Sequence, residues 1–376
     1  MAVGLVLLSV LGLDFGSKQV YKKLQPQRPV AETGHREFNF RYHHGLRSNA
    51  SVQDSFGHLS YPFFSNSLGM RDGSVREAPP GKSGPRILLI GDSFTEGVGL
   101  PWEKTFAGIL ASQLGAKGVE VLNSGVNSYC PILFKARLKY LFDQQGLEVD
   151  RVVALIDISD VMQELTFQEK PDSSVQEHPL FPEHYEEISA YNRREGWIRE
   201  NIENQFTILG VLGRNLRIWW RDYCSGLGVR KYDQVQTWAY VWPDYQGPYE
   251  PLIEKGLGLA QRHMTEVVED LRQRGILLTV VVYPWPQQLS RLSRPSRAET
   301  VWADWAEQNR ASFISLFPDF SELGDAEFIR ENYFLQNDSH WNERGHAKVA
   351  ELLLGKYRAL ILPAAKGRGR AGGLKN

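Results

Sequence analysis

The chain has 376 residues, a length typical of two to three average domains or of one domain enlarged by an insertion. Its 43 Lys and Arg residues balance 44 Asp and Glu residues to a net charge of -1, so no general basic field would hold nucleic acid by its phosphates. A hydrophobic content of 42% excludes a disordered or collagen-like chain. Two cysteines, Cys130 and Cys224, allow one bridge but no disulfide scaffold or cysteine-based structural zinc site.

Residues 1–23 contain an apolar run, 2–13, that is followed by Asp14 and several basic residues. The run is shorter than the about 20 apolar residues of a membrane span, and it lacks the charged start and the cleavage site of a signal peptide. The basic residues also lie on the wrong side for an exported body. Two interpretations remain: a signal anchor that continues upstream and holds the domain in the cell envelope outside the cytoplasm, or a segment packed on a cytoplasmic domain. We favour the anchor, because apolar N-terminal stretches usually carry targeting information.

The remainder divides into an extension, a domain and a tail. Residues 24–84 are rich in aromatic residues, Gly, Pro and Asn without a sustained period, which predicts an irregular N-terminal extension that ends in a linker. The domain spans residues 85–362, and residues 363–376 form a basic, flexible tail. Apolar runs predict five strands at 86–90, 119–122, 152–158, 276–283 and 313–316. Helical patterns lie at 101–115, 134–145, 264–274 and 345–360.

The alternation of strands and helices is interrupted over about residues 168–257, where an acidic, aromatic-rich stretch precedes a helix-like segment at 201–221. We interpret this stretch as a helical insertion that covers the sheet. Strands that alternate with helices predict the α/β class, because right-handed crossovers between parallel strands place helices on both faces. The expected architecture is a three-layer fold with a parallel sheet of about five strands.

A serine follows the first strand of this domain, in Gly91-Asp92-Ser93. The carboxyl ends of parallel strands form the crevice in which such sheets bind ligands, so a serine there is presented from a rigid edge. Taken alone, the motif is more typical of a tight strand-to-helix turn in which Asp92 or Ser93 caps the helix. A second group of residues is therefore needed to make Ser93 a candidate nucleophile.

That second group lies near the C-terminus, where Asp338 and His340 stand two apart on a predicted loop. A serine hydroxyl is a poor nucleophile near neutral pH unless a base within hydrogen-bond reach takes its proton, and histidine suits that task. A carboxylate that holds one imidazole nitrogen leaves the other for the serine. The alternative is that Asn342 caps the last helix and that Asp338 and His340 are surface loop residues. His346 is expected to face the start of the last helix and not to join the relay.

Together these motifs resemble the GDSL or SGNH hydrolases. The Asp-x-His-Trp form resembles members that handle O-acetyl groups on exported polysaccharides, such as the alginate acetylation proteins, and residues 66–72 resemble the lead-in of bacterial members. The resemblance covers about residues 86–360. It implies a three-layer α/β fold, a triad of Ser93, Asp338 and His340, and no metal or organic cofactor. It also implies that the Ser93 backbone N–H is the first oxyanion donor.

Three positions depart from the family pattern. Ser128 stands where a glycine donates its backbone N–H to the oxyanion, so a backbone donor survives the change. Ser159 stands where the asparagine of Gly-x-Asn-Asp donates, and a hydroxyl reaches less far than an amide; loss of such a donor costs about 100- to 1000-fold in rate. The usual Asp-x-x-His spacing would place Asn337, which is not an acid, at the carboxylate position, so the acid is assigned to Asp338.

These residues predict a serine ester hydrolase that forms an acyl-enzyme and removes O-acyl, in particular acetyl, groups from a carbohydrate or another small ester. An O-acyltransferase of a cell-envelope polysaccharide would use the same acyl-enzyme with a sugar hydroxyl in place of water. The changes at Ser128 and Ser159 also allow a glycan-binding protein with weakened chemistry. The expected partners are an acylated carbohydrate or a small ester, no nucleic acid, and a membrane if residues 1–23 anchor the chain.

Three further signals are set aside. Gly81-Lys82-Ser83 imitates the end of a nucleotide-binding P-loop, but Arg76 stands where its first glycine belongs and the segment precedes a strand. His43-His44 has no evident partners for a metal, which favours a structural or substrate-lining role. Tyr283-Pro-Trp-Pro286 ends a strand on the side of the expected site, and a packed aromatic turn is favoured over a sugar-stacking surface.

Overall fold

The computed structural model describes residues 34–56, 59–178, 242–244, 250–289, 295–336 and 338–363. The predicted anchor at 1–23, the helix-like segment at 201–221, Cys224 and residues 364–376 of the tail lie outside the described residues. Cys130 is buried and carries a free thiol. Within the described ranges, no helix combines the length and the hydropathy needed to cross a membrane.

The strands are β1 Arg36–Asn39, β2 His43–Leu46, β3 Ser51–Phe56, β4 Leu59–Ser65, β5 Arg71–Asp72, β6 Arg86–Ile90, β7 Glu120–Asn123, β8 Arg151–Ile156, β9 Phe167–Glu169, β10 Val175–Glu177, β11 Leu277–Val282 and β12 Ser312–Ser315. The helices are α1 Ser93–Glu96, α2 Phe106–Gly115, α3 Pro131–Lys139, α4 Asp160–Thr166, α5 Glu250–Gln273, α6 Pro286–Leu289, α7 Arg297–Gln308, α8 Phe317–Ser321, α9 Ala326–Tyr333, α10 Glu343–Leu354 and α11 Arg358–Ile361.

An eight-stranded sheet organises these elements in the order β12-β11-β8-β6-β7-β5-β4-β3. The first five strands in this order are parallel, as predicted, and every residue of β6 and β8 is buried. Strands that are covered on both faces need an unbroken apolar run, which is why the sequence revealed them. The chain passes from β6 to β7 on one side and then crosses to β8 on the other, so β6 lies at a topological switch point.

Helices cover both faces of the parallel strands. On one face, Leu89 and Val153 pack in a core that includes residues of α2 and α10. The alternate side chains, such as Leu88 and Val152, point to the opposite face and are also buried. Helices α3, α4 and α5 pack against one another, and α5 also packs on β11. The three-layer α/β class is therefore as predicted.

The extension differs from the prediction, because the described part of residues 24–84 is built largely of strands. Strands β3, β4 and β5 continue the sheet in antiparallel order beyond β7. Strand β1 pairs with β2 in a separate hairpin. In β4 the buried Tyr61 and Phe63 alternate with exposed positions, one of which is Pro62. A strand with one exposed face alternates polar and apolar residues instead of forming an apolar run, and a proline inside it weakens the strand signal further.

Helix boundaries also differ from the prediction, most of all at two places. Helix α5 begins at Glu250, inside the predicted insertion, and not near residue 264. The predicted closing helix is divided into α10 and α11 by a break that begins at Gly355. Glycine is the residue that most often ends a helix, so this break follows from the local sequence.

Candidate active site

Three of the candidate residues follow the carboxyl ends of neighbouring strands. Ser93 follows β6, Ser128 follows β7 and Ser159 follows β8, and these strands are adjacent and parallel. Because β6 is the switch-point strand, its carboxyl end opens on the crevice between diverging connections. The sheet topology thus brings residues that are far apart in sequence to one edge.

The single-turn helix α1 presents Ser93. The Asp92 side chain caps the helix by accepting a hydrogen bond from the Phe94 N–H at 2.9 Å. The helix ends at Gly97, which has a left-handed backbone with φ 78°. Gly91 is also constrained, because a Cβ there would lie 2.2 Å from the Thr95 hydroxyl oxygen. Ser93 is the first residue of the helix, where backbone N–H groups have no acceptor within the helix.

The C-terminal loop brings His340 and Asp338 to this serine. The Ser93 Oγ lies 2.7 Å from His340 Nε2, and His340 Nδ1 lies 2.5 Å from the Asp338 Oδ1. The same Oδ1 accepts the His340 backbone N–H at 2.8 Å. One carboxylate oxygen therefore holds both the ring and the backbone of His340, and this local turn explains how an Asp-x-His spacing reaches the geometry of a relay.

The loop is closed at its base. Phe334 and Trp341 form a β-bridge, and the Leu335 N–H donates to the His340 carbonyl oxygen at 2.8 Å. Trp341 is fully buried in the core beneath the site. Asn342 caps α10 by accepting from the N–H groups of its first turn, as the alternative interpretation of this segment expected. The cap and the relay are thus compatible features of one loop and not alternatives.

The electrostatics of the loop favour a carboxylate at residue 338. Partial burial raises the pKa of Asp338, but hydrogen bonds from the side chain and the backbone of His340 outweigh it and hold the pKa of this carboxyl below its usual value. Burial lowers the pKa of His346 to about 3, so this ring is neutral. Its Nδ1 accepts the Phe106 N–H at 3.1 Å, which links α10 to α2. His346 does not contact Ser93 in this arrangement.

Ser128 occupies a left-handed backbone conformation with φ 65°. Glycine adopts that region freely, whereas other residues do so at a cost, so the turn keeps a glycine-like shape without a glycine. The Ser128 hydroxyl donates to the Asn127 side chain at 3.2 Å. The backbone N–H is therefore the group of Ser128 that is suited to an oxyanion.

Ser159 is arranged differently from its expected role. Both its N–H and its hydroxyl donate to the Asp157 Oδ1, each at 2.7 Å. A hydroxyl has one proton to donate, so no donor of Ser159 is left for an oxyanion in this arrangement. The family pattern does not predict that Asp157 accepts these hydrogen bonds, because it has at this position a glycine, which has no side chain.

Asp157 belongs to a buried acidic cluster behind the serine, with Asp92 and Asp160. The Tyr283 hydroxyl lies 3.1 Å from a carboxyl oxygen of both Asp92 and Asp157, and the Trp285 indole N–H donates to Asp157 at 2.7 Å. The pKa values of Asp92 and Asp160 are raised well above the usual range. Burial is the largest cause, and the charge of Asp157 is the second. A neutral Asp92 can donate to Asp157 while its other oxygen caps α1. As favoured from the sequence, Tyr283 is a packed aromatic residue.

Two arginines from the preceding strands, Arg71 and Arg36, hold α1 in place, and neither was a candidate site residue from the sequence. The buried guanidinium of Arg71, from β5, donates to the carbonyl oxygens of Glu96, Gly97 and Leu100. The Glu96 side chain is fully buried and accepts from Arg36. Arg71 lies within the motif at residues 66–72 that resembles bacterial family members, and this motif is the one feature of the sequence that could have pointed to it.

Aromatic rings flank the histidine. The Phe94 ring centre lies 4.7 Å from that of His340, and the Phe56 ring meets His340 edge-on at 5.1 Å. Ser93 itself is only 7% exposed. The Ser93 hydroxyl and the His340 ring therefore lie in a partly apolar environment, where hydrogen bonds to a charge are stronger than in water.

A family model described as the GDSL-like Lipase/Acylhydrolase family matches residues 89–348, about two-thirds of the chain. No curated protein matches the chain. Among solved structures, TesA is 12% identical and covers 73% of this chain and 99% of its own, with a TM-score of 0.38. The acetyl xylan esterase AlAXEase is 13% identical, with coverages of 73% and 100% and a TM-score of 0.38. Axe2, an acetylxylan esterase from Geobacillus stearothermophilus, is 14% identical, with coverages of 73% and 94% and a TM-score of 0.40.

Proposed function

We propose that this chain, which belongs to the GDSL-like lipase/acylhydrolase family, cleaves a small ester through an acyl-enzyme formed on Ser93. Family membership makes it an ester-bond hydrolase; the nucleophile, the mechanism and the substrate are our proposal. The observation that carries it is the continuous contact from the Ser93 Oγ through the His340 ring to the Asp338 carboxylate.

In the proposed mechanism, His340 Nε2 takes the Ser93 proton as the serine oxygen attacks the ester carbonyl carbon. The resulting imidazolium is stabilised by the ionised Asp338, whose lowered pKa suits that role. The backbone N–H groups of Ser93 and Ser128 are the proposed oxyanion donors, and Ser159 is left out because Asp157 takes both its donors. The tetrahedral intermediate then expels the alcohol, which receives the proton from His340.

Water completes the cycle by the same route. His340 removes a proton from the water as it attacks the acyl carbon, and returns a proton to the Ser93 oxygen when the acid leaves. We propose an acetyl ester of a carbohydrate as the substrate class. The small exposed fraction of Ser93 and the flanking Phe56 and Phe94 rings suit a short acyl group, and the Asp-x-His-Trp motif supports the choice.

The direct test compares acetate release by wild type and Ser93→Ala from p-nitrophenyl acetate and from an acetylated xylo-oligosaccharide. We expect the variant to lose at least about 10⁴-fold in kcat, as when a triad member is removed. Ser112→Ala, at an exposed position of α2, is the matched control and should keep full activity. Equal rates for Ser93→Ala and wild type would refute the proposal. Mass spectrometry with an added unacetylated glycan distinguishes hydrolysis from acyl transfer to a sugar hydroxyl.

A further inference from the structure

We propose that the β1–β2 hairpin, through His44 and Arg36, positions the oxyanion turn at Asn127 and Ser128. The hairpin lies before residue 89, where the family match begins, so the match does not account for it. This inference rests on the proposed function, because it gives a task to the Ser128 N–H. His44 and Arg36 are positioning residues in this account and do not touch the substrate.

The direct contact comes from His44. Its Nε2 lies 2.9 Å from the Asn127 carbonyl oxygen. That carbonyl and the Ser128 N–H belong to the same planar trans peptide unit, in which the two groups point in opposite directions. A donor that fixes the carbonyl on one side therefore fixes the direction of the Ser128 N–H on the other.

The hydrogen bonds around the ring assign its tautomer. His44 Nδ1 lies 2.8 Å from His43 Nδ1, so one of these nitrogens donates and the other accepts. A carbonyl oxygen can only accept, so the proton of a neutral His44 is on Nε2, where it faces the Asn127 carbonyl, and His44 Nδ1 accepts from His43. Burial lowers the pKa of His44, which favours this neutral form. The Tyr129 hydroxyl also donates to the His44 carbonyl oxygen at 2.6 Å and holds the strand beside the turn.

Arg36 acts on the same turn through Glu96. Its guanidinium makes two hydrogen bonds to the Glu96 carboxylate, at 2.9 and 2.5 Å, and that carboxylate accepts the Asn127 N–H at 2.7 Å. Glu96 belongs to α1, the helix that begins with Ser93. One buried carboxylate thus joins the helix of the nucleophile to the turn of the second oxyanion donor, and Arg36 compensates its charge.

The conformation of the turn makes such support necessary. Ser128 has φ 65°, and a non-glycine residue in that region persists where its surroundings over-determine it. Contacts on both sides of Asn127 supply that constraint: Glu96 binds its N–H and His44 binds its carbonyl. Without them the Ser128 N–H would spend more time pointing away from the oxyanion.

The test measures kcat and KM for p-nitrophenyl acetate with His44→Leu and His44→Gln, the latter because a glutamine amide reproduces the Nε2 donor. Removal of one oxyanion donor costs about 100- to 1000-fold, and a misdirected donor keeps part of its effect, so we expect His44→Leu to lower kcat about 10- to 100-fold. KM should change by less than about twofold, because the oxyanion forms only in the transition state. His44→Gln should restore most of kcat.

Arg36→Leu is the second variant and tests the route through Glu96. Its matched control is Arg274→Leu, which removes a guanidinium that likewise makes two hydrogen bonds to carboxylate oxygens, here those of Asp270 and Asp143. Arg274 precedes β11 and so lies at the amino end of the parallel strands, away from the site. We expect Arg36→Leu to lower kcat at nearly constant KM and Arg274→Leu to leave both unchanged.

The outcomes separate this inference from the proposed function. An active wild type with equal kcat in His44→Leu and Arg36→Leu would overturn the inference and leave the function standing. A change in KM alone, or equal losses in His44→Leu and His44→Gln with a rise in KM, would assign His44 to substrate contact or packing and would also overturn it. A folded wild type that neither turns over an ester nor reacts with a fluorophosphonate would refute the proposed function and, with it, this inference.

Discussion

At the scale of single residues, the two-residue spacing of Asp338 and His340 is long enough for the carboxylate to reach the imidazole ring. One carboxylate oxygen accepts hydrogen bonds from both the backbone N–H and the Nδ1 of His340. The sequence allowed Asp338 to be assigned, since Asn337 is not an acid. It did not predict the partners of Ser159, because nothing in the local pattern indicated that Asp157 would turn its carboxylate towards residue 159. The sequence predicts which residue types follow the ends of the strands. Their hydrogen-bond partners depend on where the side chains point in the folded loop, which no local pattern indicates.

Asp338→Asn should lower kcat about 10³- to 10⁴-fold, because an amide cannot stabilise the imidazolium and favours the wrong tautomer of His340. KM should change much less. The control is Glu343→Gln, which changes an exposed carboxylate only a few residues away and should keep full activity. Initial rates on p-nitrophenyl acetate measure both. Unchanged turnover in Asp338→Asn would show that this carboxylate has no part in the reaction.

Asp92→Asn should change the pH dependence of stability. Burial and the neighbouring Asp157 raise the pKa of Asp92 above its unfolded value, so the folded chain holds a proton that the unfolded chain releases. The free energy of unfolding of wild type therefore falls as pH rises from about 4 towards the folded pKa, by up to about 1.4 kcal/mol per pH unit for this proton. An asparagine keeps the cap of α1 without this proton, so its advantage over wild type should grow with pH.

Urea denaturation at pH 5, 6.5 and 8 measures that difference. Asp304→Asn, at an exposed position of α7, is the control and should track wild type at every pH. A constant difference between Asp92→Asn and wild type across these pH values would contradict the raised pKa of Asp92.

At the scale of secondary-structure elements, most of the strands that the sequence predicted are covered on both faces. Strands β6, β8 and β11 are short apolar runs between turn residues, and this signal is local. Strands β3 and β4 were missed because one side of each alternation is exposed or polar, and β5 because it has only two residues and joins the parallel strands through a distant partner in β7. The early start of α5 was missed because Gly256 and Gly258 weaken its helical pattern, although Gly256 is needed where the helix meets Val161.

The turn after β7 gives a prediction at this scale. Ser128→Gly should keep kcat within about threefold of wild type, because the backbone N–H and the left-handed conformation are retained. The free energy of unfolding should change by about 1 kcal/mol or less, since relief of the left-handed cost is offset by the greater freedom of glycine when unfolded. Steady-state rates and urea denaturation check both. A 100-fold loss of kcat would mean that the hydroxyl, and not the N–H, is the donor.

At the scale of the whole molecule, the residues that support the site extend beyond the residues that the family model matches. The match begins at residue 89, yet Arg36, His44 and Arg71 from the preceding extension contact the helix or the turn that form the site. Sequence analysis separated the extension from the domain because their patterns differ, and contacts between distant segments leave no local pattern. The boundaries of the domain at 85–362 stay a prediction. The same holds for the cell-envelope location, which depends on residues 1–23.

The central claim is that Ser93 is an activated nucleophile, and it is tested most directly by intact mass after exposure to a fluorophosphonate. The account predicts a single adduct on wild type, none on Ser93→Ala and greatly slowed labelling of His340→Ala, since the serine needs its base. Circular dichroism on each protein verifies that it is folded. A folded wild type that forms no adduct, or a Ser93→Ala variant labelled as fast as wild type, would contradict the account.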